Sequence, residues 1–256
     1  FRIVFIIIAS GLLFAFFRVK TVAIKKRNEE LELIVNERTK QLEQERNKAE
    51  ELLHNILPAQ LVKELKDKGN TTPREYKSIS ILFTDFSGFT KIAAELPPEK
   101  LVEELNELFK EFDNIIEKHG LEKLKTVGDS YLIGGGLPVE SDDHAYQTVK
   151  AAIAMQNYLS QRNEKNKIKW NMRVGINSGQ VIAGIVGGRK FTYDVWGNTV
   201  NIANALQNVC QPGNIYISES TYNYIKRNFQ CEFAGNVDCK GHGEIASYIV
   251  RNELTN

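Results

Sequence analysis

The chain has 256 residues, with 33 Lys and Arg against 32 Asp and Glu and a formal net charge of +1. That length gives material for one or two domains with a real core. The balance of charge gives no argument for a nucleic-acid partner or an acidic one. Three cysteines, Cys210, Cys231 and Cys239, show neither metal-finger spacing nor an even framework, which fits a reduced setting.

The first residues, Ile3–Phe17, are almost wholly apolar and no Met opens them. As a helix, fifteen such residues reach only ~22 Å, short of the ~30 Å hydrocarbon core. The reading is that residues 1–18 are the end of a transmembrane helix in a fragment of a longer membrane protein. A signal peptide and a core helix are the competing readings; no small-residue cleavage site is present. Arg18, Lys20, Lys25, Lys26 and Arg27 predict a cytoplasmic location for the rest of the chain.

Residues 19–57 are rich in Glu, Lys, Arg, Leu and Asn and contain no Gly or Pro. Val35, Leu42, Ala49 and Ile56 form one heptad row, while Leu31 and Leu52 hold a second that Arg38 and Glu45 interrupt. That pattern predicts a signalling helix with a parallel coiled-coil tendency, against a lone charged helix as the alternative. Residues 58–75 read as a short helix over Ala59–Lys68 and a linker around Gly69–Pro73.

From residue 76 to 252 strands and helices alternate. Ser78–Thr84 reads as a buried strand that stops at Asp85. Pro97–His119 carries Leu101, Leu105, Leu108, Phe112 and Ile116 at helical spacing. Leu121–Val127 and Tyr131–Gly136 form a hairpin around Gly128-Asp129. His144–Arg162 is a second amphipathic helix. Trp170–Ile176 and Gln180–Val186 read as strands parted by a turn at Asn177-Ser178-Gly179, and Val195–Val209 as helical. Short strands follow near Asn214–Ser218, Gln230–Gly235 and Ala246–Val250. The order predicts an α+β fold with a βαββαβ core, an antiparallel sheet and extra C-terminal strands.

Two carboxylates, Asp85 and Asp129, each end a strand beside small residues, a pattern that suits hard divalent cations as well as ordinary turns. Phe83-Thr84-Asp85-Phe86-Ser87-Gly88-Phe89, Lys125-Thr126-Val127-Gly128-Asp129 and Tyr193-Asp194-Val195-Trp196-Gly197-Asn198-Thr199-Val200-Asn201 resemble the three signature blocks of class III nucleotidyl cyclases. The resemblance covers roughly Tyr76 to Val250 and implies a ferredoxin-like catalytic domain. It implies that Asp85 and Asp129 bind two divalent cations, Mg²⁺ or Mn²⁺, and that backbone N–H groups of Phe86, Ser87 and Gly88 meet phosphates. Lys125 and Asp194 match the pair that recognises adenine in adenylate cyclases. Asn201 matches the asparagine that orients the ribose, and Lys240 the lysine that reaches the terminal phosphates. His242, where the family often has a second lysine, reads as a loop histidine.

One position departs from the pattern. Four residues after Asn201 the family has a transition-state arginine, and here stands Ala205, preceded by Asn204 in place of a small Ser. Arg189 and Lys190 are possible substitute cations. Together with the apolar start and the helical seam, the resemblance implies a membrane-anchored adenylate cyclase with impaired turnover, acting on ATP as a homodimer with shared sites. The alternative is a non-catalytic nucleotide-binding module that signals through dimerisation, and a guanylate cyclase is a distant third.

Overall fold

A computed structural model describes residues 2–187 and 191–254, in two units that divide between Val62 and Lys63. In the first unit α1 (Arg2–His54) runs unbroken through Arg18 and Val19. Its apolar side chains stand exposed: Phe14 at its start, Val35 and Leu42 in the predicted seam. Among the described residues no helix is long and apolar enough to cross a membrane. Pro58 cannot continue the helix, and its carbonyl accepts from the Leu61 and Val62 N–H groups as α2 (Ala59–Lys68) begins.

The second unit is built on a long strand, β1 (Arg74–Ser87), whose alternate residues face opposite sides of the sheet. Two helices follow, α3 (Phe89–Glu95) and α4 (Pro98–Lys118), then the hairpin β2 (Glu122–Val127) and β3 (Ser130–Gly135). Next come α5 (His144–Lys165), β4 (Asn171–Val186), β5 (Thr192–Trp196) and α6 (Asn198–Val209). The chain closes with β6 (Ile215–Ser218), α7 (Glu219–Ile225), β7 (Phe229–Cys239) and β8 (Gly243–Glu253).

The eight-stranded sheet has the order β2-β3-β1-β4-β6-β8-β7, with β5 paired to β4. Its first four strands are antiparallel neighbours and reproduce the expected ferredoxin-like βαββαβ core. On one face Leu82 and Phe86 of β1 pack with Leu108 and Phe112 of α4 and Val149 and Met155 of α5. A buried ion pair, Arg162 to Glu104 at 2.6 Å, ties α5 to α4, and the Trp170 indole N–H also donates to Glu104. On the other face α6 lies against β4 at Gly175, where an added Cβ would sit 2.3 Å from the Ala203 carbonyl oxygen.

The structure corrects two local expectations. Asn177-Ser178-Gly179 is not a turn: β4 continues through it. Asn177 donates to the Thr199 carbonyl at 3.0 Å, and Ser178 bonds to the Ser80 and Thr221 hydroxyls. Partners distant in sequence thus satisfy side chains that otherwise favour turns. Val195 is not helical either. It lies in β5, paired with Ala183 of β4, and α6 starts three residues later, after Gly197 at φ +141°.

The Ser80–Ser178–Thr221 chain of hydroxyls ends on buried His144, whose Nδ1 and Nε2 lie 2.8 and 3.0 Å from the Ser80 and Ser78 hydroxyls. Burial lowers the His144 pKa from its ordinary 6.5, against the opposing pull of Asp143 and Asp142. The unfolded chain therefore binds the extra proton first, so stability is full above about pH 6.5 and falls as pH drops below it. Melting temperatures measured from pH 7.5 to 5.5 are expected to fall, and to fall less in His144→Asn.

Candidate active site

Asp85 is the twelfth residue of β1, and its partner across β4 is Arg173. The side chains form an ion pair, while Arg173 Nη1 donates to the Asn208 carbonyl at 3.4 Å and its buried Nε has no partner. Asp129 reaches the same place through a two-residue hairpin between Val127 and Ser130. Gly128 has φ +62°, which a II′-type turn requires at its first central residue. The Phe86 N–H donates to Asp129 Oδ2 at 3.3 Å, and the Ser130 hydroxyl to Asp85 Oδ1 at 3.5 Å. Burial and then the neighbouring Asp85 charge raise the Asp129 pKa. Two carboxylates held against their own repulsion fit a divalent cation. Among the described residues no group of three or more His, Cys, Asp or Glu stands together. A hard cation here would therefore draw its remaining ligands from water and phosphate oxygens, as Mg²⁺ commonly does.

The Phe86 side chain is 2% exposed and packs on Trp170 and Phe112 at ring distances of 5.1 and 6.2 Å. Its N–H is engaged by Asp129. Ser87 pairs with Asn171 as the strand ends, and Gly88 takes φ +75° to open α3.

Lys125 and Asp194, 69 residues apart, meet with Nζ to Oδ2 at 2.5 Å. The Val195 N–H holds the other Asp194 oxygen at 2.9 Å. Lys125 is opposite Leu132, and Leu132 is opposite Phe83, two residues before Asp85. Directly paired residues share a face, so Lys125 lies on the Asp85 face of the sheet. That is the face on which α6 packs, away from α4 and α5.

Along α6, Asn201, Asn204, Ala205 and Asn208 form one stripe, at i, i+3, i+4 and i+7. They border an open cavity of about 470 Å³ whose far side includes Asp238, Lys240 and His242. Asn201, Ala205 and Lys240 are thus gathered around one space. Arg189 and Lys190 lie outside the described residues.

Arg173 is the residue that sequence reasoning missed. Its signal was the alternation in β4: Met172, Val174 and Ile176 are core residues, which puts Arg173 on the opposite face, where Asp85 waits across the strand pair.

The family model described as the adenylate and guanylate cyclase catalytic domain matches residues 71–252. An adenylate cyclase of Mycobacterium bovis is 36% identical over 210 residues, 82% of this chain and 47% of the relative. The chain thus spans about half the length of that relative. The guanylate cyclase domain of RhGC from Catenaria anguillulae, solved in complex with GTP, superposes with a TM-score of 0.66 at 32% identity, covering 71% of this chain and all of that one. The adenylyl cyclase CyaB from P. aeruginosa gives a TM-score of 0.67 at 29% identity, over 72% of this chain and all of the other.

Proposed function

This chain belongs to the family of adenylate and guanylate cyclase catalytic domains, the class III nucleotide cyclases, and from that premise we propose that it forms 3′,5′-cyclic AMP and pyrophosphate from ATP. The observation that carries the choice of ATP is the contact between Lys125 and Asp194. An ammonium donates to adenine N1, and a carboxylate accepts from the 6-amino group. Guanine offers a donor and a carbonyl at those edges and mismatches both. Asp85 and Asp129 would hold two divalent cations, Mg²⁺ or Mn²⁺. Bound there, such ions lower the pKa of the ribose 3′-hydroxyl and neutralise the triphosphate.

The chain's own groups orient and neutralise. Asn201 holds the ribose for in-line attack on the α-phosphorus, and Lys240 takes the terminal phosphates. Arg173 balances the Asp85 charge and has a free Nε to turn toward phosphate. Two copies are needed to complete each site. The exposed seam of Leu31, Val35, Leu42, Leu52 and Ile56 supports a homodimer. The exposed apolar start of α1 supports attachment to a membrane, with the cyclase domain on the cytoplasmic side.

A second reading, a nucleotide-binding module that signals without turnover, is favoured by one observation, Ala205 at the arginine position. The test is product formation from ATP and from GTP with Mn²⁺. Cyclic AMP is expected to exceed cyclic GMP, and Asp85→Ala is expected to abolish both. Lys125→Glu with Asp194→Cys is expected to move the ATP-to-GTP ratio toward GTP by about 10²-fold or more. Equal rates on the two nucleotides would sink the choice of ATP. Bound ATP with no product, even after Ala205→Arg, would favour the signalling module.

A further inference from the structure

The stripe on α6 surrounds one methyl group with three neutral amides. Asn201, Asn204 and Asn208 are exposed beside Ala205, whereas Ala203, Leu206 and Gln207 on the other side of the helix are buried. No cation projects from the helix into the cavity. Among the described residues lining the cavity, the basic side chains come from the opposite wall, the tight turn between β7 and β8.

That turn is closed by the His242 N–H, which donates to the Cys239 carbonyl at 2.7 Å, and Gly241 has φ +83°. These are the marks of a type II turn with glycine at its third position. Lys240 and His242 flank Gly241, and both line the cavity. They differ in burial: Lys240 is exposed, while His242 is half-buried. Of the other basic groups near the site, Arg173 is held by Asp85 and the Asn208 carbonyl, and Lys125 by Asp194.

We propose that His242 is a catalytic residue of this chain, donating a ring N–H across the cavity to the α-phosphate in place of the arginine that Ala205 lacks. This rests on the cyclase reading above. As the O3′–Pα bond forms and the bond to the departing pyrophosphate breaks, charge grows on the α-phosphate oxygens, where a preorganised donor is most effective. His242 neither takes nor gives up a proton in the step, and the hydroxyl proton goes to solvent. Lys240 remains the partner of the terminal phosphates.

The experiment is a double-mutant cycle on the full chain with ATP and Mn²⁺, measuring kcat and KM separately and checking each variant's melting temperature. His242→Ala is expected to lower kcat about tenfold or more and to leave KM within about threefold. His242→Lys, which keeps a donor in the turn, is expected to retain most of the turnover. In the Ala205→Arg background, His242→Ala is expected to cost less than about threefold, because the two groups serve one oxygen cluster. An unchanged kcat in His242→Ala, or the same loss with and without the arginine, would overturn the proposal. If Ala205→Arg is active while His242→Ala has no effect, the cyclase reading stands and this inference alone falls. If ATP binds and no variant forms product, both fall.

Discussion

Ala205→Arg is expected to raise the rate of cyclic AMP formation by about 10²-fold and to change the KM for ATP by less than about threefold. A single preorganised donor aimed at developing charge is typically worth about 10²–10³ in turnover; the lower end applies here because His242 already supplies part of that stabilisation. The site has room for the change. Ala205 is half-buried at the edge of a cavity of about 470 Å³, one turn along α6 from Asn201. An arginine there projects from a helix whose opposite face is locked to β4, so its guanidinium starts from a fixed base. Asn204 and Asn208 flank it with neutral amides, and Asp238 across the cavity is the carboxylate that competes for it. The signature to look for is a rise in kcat with little change in ATP affinity, since the gain appears only as charge develops. Equal rates in the two proteins, or a gain confined to KM, would mean that position 205 does not face the reacting phosphate.

Gly175→Ala is expected to lower the melting temperature by about 6–12 °C and to remove turnover. The added Cβ would stand 2.3 Å from the Ala203 carbonyl oxygen, 2.3 Å from the Gln207 nitrogen and 2.8 Å from the Gln207 Cα. All three are helix backbone, so no side chain can rotate away and α6 must lift from the sheet. Overpacking of this kind costs about 3 kcal/mol at the upper end of its usual range. For a unit of this size each kcal/mol moves the midpoint by about 2–4 °C. Asn201 and the Asn204–Asn208 stripe ride on the same helix, so the displacement reaches the proposed site as well. A melting temperature within about 2 °C of the parent's would show that α6 is less tightly seated than this contact requires.

Much of the fold was legible because the apolar periodicity of α4, α5 and the β2–β3 hairpin is local and strong. Leu108, Phe112 and Ile116 repeat every four residues and are all buried. The failures have one cause. Asn177-Ser178-Gly179 has turn chemistry when taken by itself, yet Ser80, Thr199 and Thr221 reach in from other elements and make it the middle of a 16-residue strand. Val195 continues an apolar pattern that suits a helix, but pairing with Ala183 draws it into the sheet. Nothing in the neighbourhood of Arg173 along the chain points to Asp85; only the strand register sets the two opposite each other.

The chain on its own shows which chemical groups this protein carries: a pair of carboxylates at strand ends, Lys125 and Asp194 in two separate motifs, and Ala205 four residues after Asn201. Those are properties of residue identity and short-range order, and they are readable along the chain. Which of these groups meet follows from how the elements pack. Lys125 finds Asp194 across 69 residues, Arg173 finds Asp85 across 88, and the turn carrying His242 borders the same cavity as Ala205. Strand register and the seating of α6 set these meetings. Both are fixed by contacts between segments far apart in sequence, whose free energy no local pattern contains.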